Sequence, residues 1–411
     1  MGASKLNRVV FVTPWFPNVP GDREGNFIFS SAAALARAQL SVGVLVVRPW
    51  LTFALSRLKH KSVTGRFDPR AFSEFGRVEL IRYLYVPRKR LPRISAWLHD
   101  LRVAEALTSF ARTFDANLIH AHTEGAAPAA ITAGHRLALP VIVTLHGINT
   151  ASRYYDAQAS HARFKSALSA ASRVVLVGKP LENYFAEFLG HTNHFRIVPN
   201  GFDPPEMERG MALANDLPLR FISISNLHEG KGIDVALKAM AKARSQGLED
   251  FTYTIVGDGS DREQLTTLAA SLGLQAHVRF VGACRYNQVY TFLREADVFL
   301  LPSYREAFGI AYLEAMAVGL LAIAVQGEGP SMFIRDGETG LLVPPRDVGA
   351  LAELLITIAA NRKLMQRIAA RGCTYVIENF TWDHHAQKLS ALYCEVEQAW
   401  ASRREQTGAD A

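Results

Sequence analysis

Cysteine is scarce. The chain has three, Cys284, Cys373 and Cys394, far apart and forming no C-x-x-C pair. That spacing supplies neither a disulfide framework nor the ligands of a structural zinc site, so a reducing cytoplasm is the expected compartment. Long apolar runs are missing as well: no stretch approaches the roughly 18 residues that a membrane-crossing helix needs. Met1 to Pro14 reads as one short strand closed by a proline, without the longer apolar segment of a secretory signal, and none is expected. There is no low-complexity segment and no internal repeat. A charge field of one sign over the whole chain is also lacking. The formal net charge is +7, yet Arg48 to Arg102 alone holds thirteen Lys/Arg against four Asp/Glu, a balance of +9 that leaves −2 elsewhere. With its basicity confined to one region, the protein is not expected to bind nucleic acid.

What is present is apolar material for two cores. The 411 residues are 49% hydrophobic and 20% charged. Single cores stop growing near ~250–300 residues, so two domains are expected. Both halves alternate short β-rich runs with helical stretches, each run ending in a polar or glycine loop, which is the pattern of parallel sheets.

In the first half, Arg8 to Pro14 is a strand, Pro17 to Gly25 a turn-rich loop, Asn26 to Leu40 a helix and Val42 to Val47 a strand. Ligands of open α/β sheets bind at the carboxyl edge of such strands. Gly25 lies in that loop, where it either lets backbone approach a ligand or simply turns the chain. Trp50 to Arg102 is less regular and mixes aromatics with the basic residues, Arg88 to Arg93 being densest. That segment is either a solvated surface or a face lying on an anionic membrane. A helix follows from Leu101 to Phe114, and strands are expected at Asn117 to Ala121, Val141 to Leu145, Val174 to Val177 and Arg196 to Val198, with a helix near Leu181 to Phe188. The second of these strands ends at His146, whose neutral imidazole is either structural or able to bond a sugar hydroxyl or a phosphate oxygen. His120, His122 and Glu124 superficially suggest a metal site, but no fourth ligand is evident and no metal is expected.

Asp203 to Asn215 reads as a linker. Beyond it, strands are expected at Leu219 to Ile224, Phe251 to Val256, Val278 to Val281 and Leu321 to Val325, with an edge strand at Leu341 to Pro344. Helices follow at Val348 to Ile358, Arg362 to Phe380 and Trp382 to Ala401, with a frayed tail from Ser402.

The stretch that organises this half is Ser303 to Gly319. An apolar strand, Ala296 to Pro302, runs into a polar loop and then a helix beginning near Gly309. The loop carries Glu306, and the helix carries Glu314 eight residues later. A helix N-terminus offers unpaired N–H groups and partial positive charge to an anion. Carboxylates accept hydrogen bonds from hydroxyls. A ligand with phosphate in its middle and hydroxylated rings on either side fits that layout, which describes a nucleotide-sugar. Glu314 lies about 7 Å along the helix from Gly309, at ~1.5 Å per residue, a span that suits the reach from a diphosphate to a ribose. Lys231 sits in a glycine-flanked loop after an expected strand, as a phosphate ligand or as an exposed turn lysine. Its segment is not a P-loop, and Gly257-Asp258-Gly259 is only a partial G-x-G without the rest of a dinucleotide fingerprint.

Taken in order, these motifs resemble the family 4 retaining glycosyltransferases of GT-B fold. Glu306 to Glu314 matches their E-x7-E signature, and Pro199-Asn200-Gly201-Phe202-Asp203 is similar to the sequence before their interdomain linker. Lys231-Gly232 resembles their phosphate lysine, Val256 to Gly259 their GDG turn, and Asp336 to Val343 their DGxTGLLV segment. The likeness is strong from about 196 to 345 and thinner before it. It implies two Rossmann-like parallel-sheet domains facing a central cleft: 1–203 binding acceptor, 204–385 binding donor, and 386–411 as a helix and tail returning to the first domain. It also implies roles. Glu306 takes donor-sugar hydroxyls and Glu314 the ribose; Lys231 and the backbone of Phe308, Gly309 and Ile310 hold the diphosphate. Gly257 and Gly259 border the donor, Gly25 lies near the phosphates, and His146 faces the donor sugar. No metal or other cofactor is implied. One departure stands out: Ser225-Asn226 replaces the family's Gly-Arg, so Arg285 or Arg305 is expected to supply the missing charge beside Asn226. The expected function is transfer of a sugar from a nucleoside-diphosphate sugar to a glycan or lipid-linked acceptor at the inner face of the plasma membrane. A sugar-nucleotide epimerase and a non-catalytic nucleotide-sugar-binding subunit are the alternatives.

Overall fold

The computed structural model describes residues 8–22, 24–50, 67–72, 76–84, 92–147, 158–190, 193–205 and 218–409. The chain divides into two compact units. One holds the residues up to Val177, Leu181–Pro199 and the segment from Trp382 onward; the other holds Gly178–Pro180 and Asn200–Thr381. The divisions at Pro199 and Thr381 each fall four residues before the boundaries expected from sequence.

The first unit runs β1 (Arg8–Thr13), α1 (Asn26–Arg37), β2 (Ser41–Trp50), β3 (Val78–Leu84), α2 (Pro92–Phe114), β4 (Leu118–His122), α3 (Ala127–Leu137), β5 (Val141–Leu145), α4 (Gln158–Ala170), β6 (Arg173–Leu176), α5 (Pro180–Leu189) and β7 (Phe195–Ile197). Its seven strands are parallel in the order β3-β2-β1-β4-β5-β6-β7. The strand order reverses between β1 and β4, which makes their carboxyl ends a switch point. Val9 to Val12 and Val141 to Leu145 are buried on both faces, as parallel strands covered by helices must be. Each such buried Val, Leu, Ile or Phe contributes roughly 1.5–3 kcal/mol.

The second unit runs β8 (Leu219–Ile224), α6 (Ile233–Ser245), β9 (Phe251–Val256), α7 (Arg262–Ser271), β10 (Val278–Gly282), α8 (Val289–Arg294), β11 (Val298–Leu300), α9 (Ile310–Ala317), β12 (Leu321–Val325), β13 (Leu341–Val343), α10 (Val348–Ala360) and α11 (Arg362–Asn379). Its six strands are also parallel, in the order β10-β9-β8-β11-β12-β13, so β8 and β11 flank its switch point. Leu341 to Val343 is an edge strand, as expected.

The last helix, α12 (Trp382–Ala409), belongs to the first unit and packs along α1. His385 fixes it: Nδ1 meets the Pro199 carbonyl at 2.7 Å and Nε2 the Ser31 hydroxyl at 2.8 Å. Farther along, the Tyr393 hydroxyl meets His120 Nδ1 at 2.6 Å. The helix corrects the frayed tail expected from Ser402, since helical backbone continues to Ala409. Three further elements, β3, α3 and α4, lie where the sequence reading placed none. The expected linker lies mostly outside the described residues, as do Arg88 to Leu91 of the basic patch. Among the described residues, no helix is long and apolar enough to cross a membrane.

Candidate functional site

The carboxyl edge of the second sheet gathers most of the residues singled out from sequence. The loop after β8 holds a short 3-10 turn, Glu229–Lys231, and the loop after β11 runs from Leu301 to Gly309. Backbone fastens them together. The Tyr304 N–H and the Ser303 hydroxyl both donate to the Gly230 carbonyl, each at 3.0 Å. Arg346 braces the outer side, its guanidinium 4.1 Å above the Tyr304 ring and 3.6 Å from Glu229. Held this way, the two loops bring Lys231 Nζ to 2.7 Å from Glu306 Oε2, with both side chains mostly shielded from solvent. The lysine is therefore not an exposed turn residue.

A third loop, after β12, joins them. Glu328 Oε2 accepts from the Glu306 N–H at 2.8 Å, and the Gly329 N–H donates to the Glu306 carbonyl at 2.8 Å. Burial and the neighbouring Glu306 raise the Glu328 pKa, against the pull of the Glu306 N–H and Lys231.

Helix α9 begins at Gly309, whose φ of +94° lies in the left-handed region that a side chain would resist. No side chain caps its N-terminus, so Ile310 and Ala311 lead with backbone N–H groups of the kind anions bind. Phe308 is different: its ring is buried against Phe333 and Phe380, so only its backbone remains for a ligand. Glu314 lies inside this helix and is 4% exposed. Burial pushes its carboxyl up to about 7, aided by Asp203 and opposed by a hydrogen bond from the Tyr286 hydroxyl. Oε1 of Glu314 is buried with no hydrogen-bond partner. A buried carboxylate oxygen in that state costs roughly 1–3 kcal/mol unless a donor reaches it.

The other expected residues of this unit are placed less centrally. Gly257 and Gly259 are needed for packing: added Cβ atoms would lie 1.8 Å from the Ser225 carbonyl oxygen and 2.1 Å from that of Leu227. Asn226 is exposed and its carbonyl accepts from the His228 N–H at 3.2 Å. Arg285 and Arg305 are both exposed. Arg305 directly precedes Glu306, packs its Cβ beside Gly230, and forms no ion pair among the described residues.

Gly25 and His146 stand at the carboxyl edge of the first sheet. Gly25 starts α1, where an added Cβ would lie 2.5 Å from the Phe16 nitrogen. His146 Nε2 is 3.0 Å from His122 Nδ1, and the two rings stack at 5.3 Å. Burial, then the charge of His385, pushes His146 down to about 3, so it is neutral at physiological pH. Its Nδ1 is buried and unpartnered, as is Nε2 of His122. His120 is committed on both sides, to Tyr393 and at 2.6 Å to Thr144, which removes it from any metal site. Among the described residues, no group of three His, Cys, Asp or Glu is arranged to hold a metal ion.

Sequence reasoning missed Glu328 and Tyr286. An acidic residue between two glycines after a strand was the available signal for the first. Tyr286 had none, because its link to Glu314 exists only in the folded unit.

Comparison with known proteins places the chain beside sugar-transferring enzymes. Residues 25–206 match the family described as Glycosyltransferase Family 4, and residues 208–373 match Glycosyl transferases group 1. The chain is 35% identical over 169 residues to the amylovoran biosynthesis glycosyltransferase AmsK of Erwinia amylovora, covering 40% of this chain and 41% of that protein. It is 35% identical over 164 residues to the phosphatidyl-myo-inositol mannosyltransferase of Mycobacterium leprae, covering 40% and 42%. The match thus spans less than half the length of these relatives. Among solved structures, the sucrose-phosphate synthase of Thermosynechococcus elongatus is similar with a TM-score of 0.72 at 21% identity, covering 96% of this chain and all of that one. Anabaena HepE in complex with UDP and glucose is similar with a TM-score of 0.69 at 18% identity, covering 94% and 99%.

Proposed function

Because this chain belongs to the family 4 glycosyltransferases of GT-B fold, we propose that it moves a sugar from a nucleoside-diphosphate sugar to a glycan or lipid-linked acceptor, with retention of anomeric configuration. The observation that carries this reading is the pairing of Lys231 with Glu306 at the switch point of the second sheet, beside an uncapped helix and a buried carboxylate oxygen lacking a donor. In this reading the diphosphate draws Lys231 away from Glu306 and rests against the N–H groups of Gly309 and Ile310. Glu306 is then free to accept from hydroxyls of the donor sugar. The ribose diol supplies the donor that Glu314 Oε1 lacks. In the first unit the neutral His146, with its unpartnered Nδ1, keeps the sugar-bonding role that the family resemblance implies. As the glycosidic bond to phosphate breaks, negative charge grows on the diphosphate, where the ammonium and helix N-terminus stabilise it without a metal. Departure and attack occur on the same face, and Glu306 is not a nucleophile.

A polysaccharide or glycolipid pathway is supported by the names of the relatives, and a UDP-sugar by the ligands of HepE. The acceptor is assigned to the first unit, with cytoplasmic location and peripheral contact at an anionic membrane surface. A second reading, a nucleotide-sugar-binding subunit without turnover, draws on Asn226 in place of arginine. A thermal-shift screen of UDP, GDP and ADP identifies the base, and donor turnover then decides. Slow release of nucleoside diphosphate with free sugar is expected in the wild type, and Lys231→Ala and Glu306→Ala are expected to lower it at least a hundredfold. Unchanged turnover in both variants would refute the assignment; binding without turnover would favour the second reading.

A further inference from the structure

One carboxylate beside Lys231 and Glu306 takes no part in the proposed transfer. Glu328 stands on the loop after β12, between Gly327 and Gly329. Its position is set by a reciprocal clamp. The Glu306 N–H donates to Glu328 Oε2, and the Gly329 N–H donates back to the Glu306 carbonyl, both at 2.8 Å. The two loops lie so close that a Cβ at 329 would stand 2.4 Å from the Phe308 nitrogen and 2.5 Å from the Ala307 carbonyl carbon. The Glu328 carboxylate is therefore tied through Oε2 to the backbone of the loop after β11.

Lys231 is one cation facing two carboxylates, since it bonds Glu306 and interacts with Glu328 as well. Glu306 Oε2 is engaged by the lysine and Glu328 Oε2 by the Glu306 amide. Oε1 of Glu328 has no hydrogen-bond partner among the described residues, and the side chain is half-buried. Once a diphosphate takes the ammonium, both carboxylates face whatever is attached to the phosphate. Such a surface accepts hydroxyl or ammonium donors and repels another carboxylate.

We propose that Glu328 is a specificity residue for the donor sugar, its Oε1 accepting from a sugar hydroxyl beside Glu306, so that the site takes neutral or amino hexoses and rejects uronic acids. This inference rests on the nucleotide-sugar reading of the site.

The test is calorimetric titration at pH 8 of the wild type and Glu328→Gln with three ligands sharing whichever base the wild type binds: the nucleoside diphosphate, its hexose conjugate and its uronic acid conjugate. The glutamine still accepts the Glu306 N–H through its amide oxygen, so the loop clamp is kept. The nucleoside diphosphate is expected to bind the variant within twofold of the wild type. The hexose conjugate is expected to bind three- to tenfold more weakly, and the uronic acid conjugate more tightly than to the wild type. A purely structural role for Glu328 would weaken all three together, and that result overturns the proposal, as would no change in any. A wild type that binds no nucleotide at all would overturn the underlying reading instead, and it shows before the variant is made.

Discussion

Replacing Glu314 by glutamine is expected to make the protein more stable at pH 8 while damaging its site. Glu314 is 4% exposed, and burial pushes its carboxyl from 4.5 up to about 7. Between those values the folded chain holds a proton that the unfolded chain has released, so stability falls as pH rises through that window. At roughly 1.4 kcal/mol per pH unit, the ionised carboxylate costs the fold on the order of 3 kcal/mol at pH 8 and under about 1 kcal/mol at pH 5. The glutamine carries no such penalty and still accepts from the Tyr286 hydroxyl, though that bond loses its charge assistance, about 1 kcal/mol. The net gain is then about 2 kcal/mol at pH 8 and near zero at pH 5. In a unit of this size that corresponds to a rise of roughly 4–8 °C in the midpoint of its transition. Circular dichroism melts of both proteins at the two pH values read it directly. A lower midpoint for the variant at pH 8, or an equal shift at both pH values, would falsify the reasoning. Binding supplies the counterpart: affinity for the nucleoside diphosphate should fall about tenfold in Glu314→Gln, and in the wild type should weaken as pH drops below 7.

Two other variants probe the loops. Arg305→Ala is expected to weaken nucleoside diphosphate binding five- to twentyfold and to flatten its salt dependence, because Asn226 brings no charge; an effect confined to Arg285→Ala would move that role to Arg285. Gly329→Ala forces a Cβ to 2.4 Å from the Phe308 nitrogen, so the loops must part. A loss of about 1–3 kcal/mol in urea denaturation is expected, as for other overpacked sites, and an unaltered midpoint would show that the clamp is slack.

Much of the fold was legible because its strands are parallel and buried on both faces. Leu219–Ile224, Phe251–Val256 and Leu321–Val325 are continuous β-rich runs closed by glycine or polar loops, and their bounds were read directly. The strand Val78–Leu84 escaped because it lies at the sheet edge and carries Glu79 and Arg82, which break its apolar pattern. Helix Ala127–Leu137 escaped because its buried face is built of alanine and glycine, with Ile131 as its one large apolar residue. The site divides in the same manner. Lys231 and Glu306 were marked by local glycine and strand context. Glu328 and Tyr286 act through partners 22 and 28 residues away, and no local pattern announces a hydrogen bond to a backbone N–H of another loop or to a helix-borne carboxylate. Gly257 and Gly259 carry a packing demand that no local pattern announces, since an added Cβ at either would meet the backbone of Ser225 or Leu227.

The return of α12 to the first unit has a consequence for how the chain is born. Residues 200–381 are translated between the two parts of that unit. At about 5–20 residues per second, the ribosome spends roughly 10–40 s on them. Throughout that interval β4 has been made but Tyr393 has not, so His120 waits with one ring nitrogen unserved, and Ser31 and the Pro199 carbonyl wait for His385. The second unit, contiguous apart from Gly178–Pro180, is complete first. The earlier half of the chain is thus the later half to mature, and a nascent chain arrested before Trp382 should carry a native second unit beside a first unit that proteases still open.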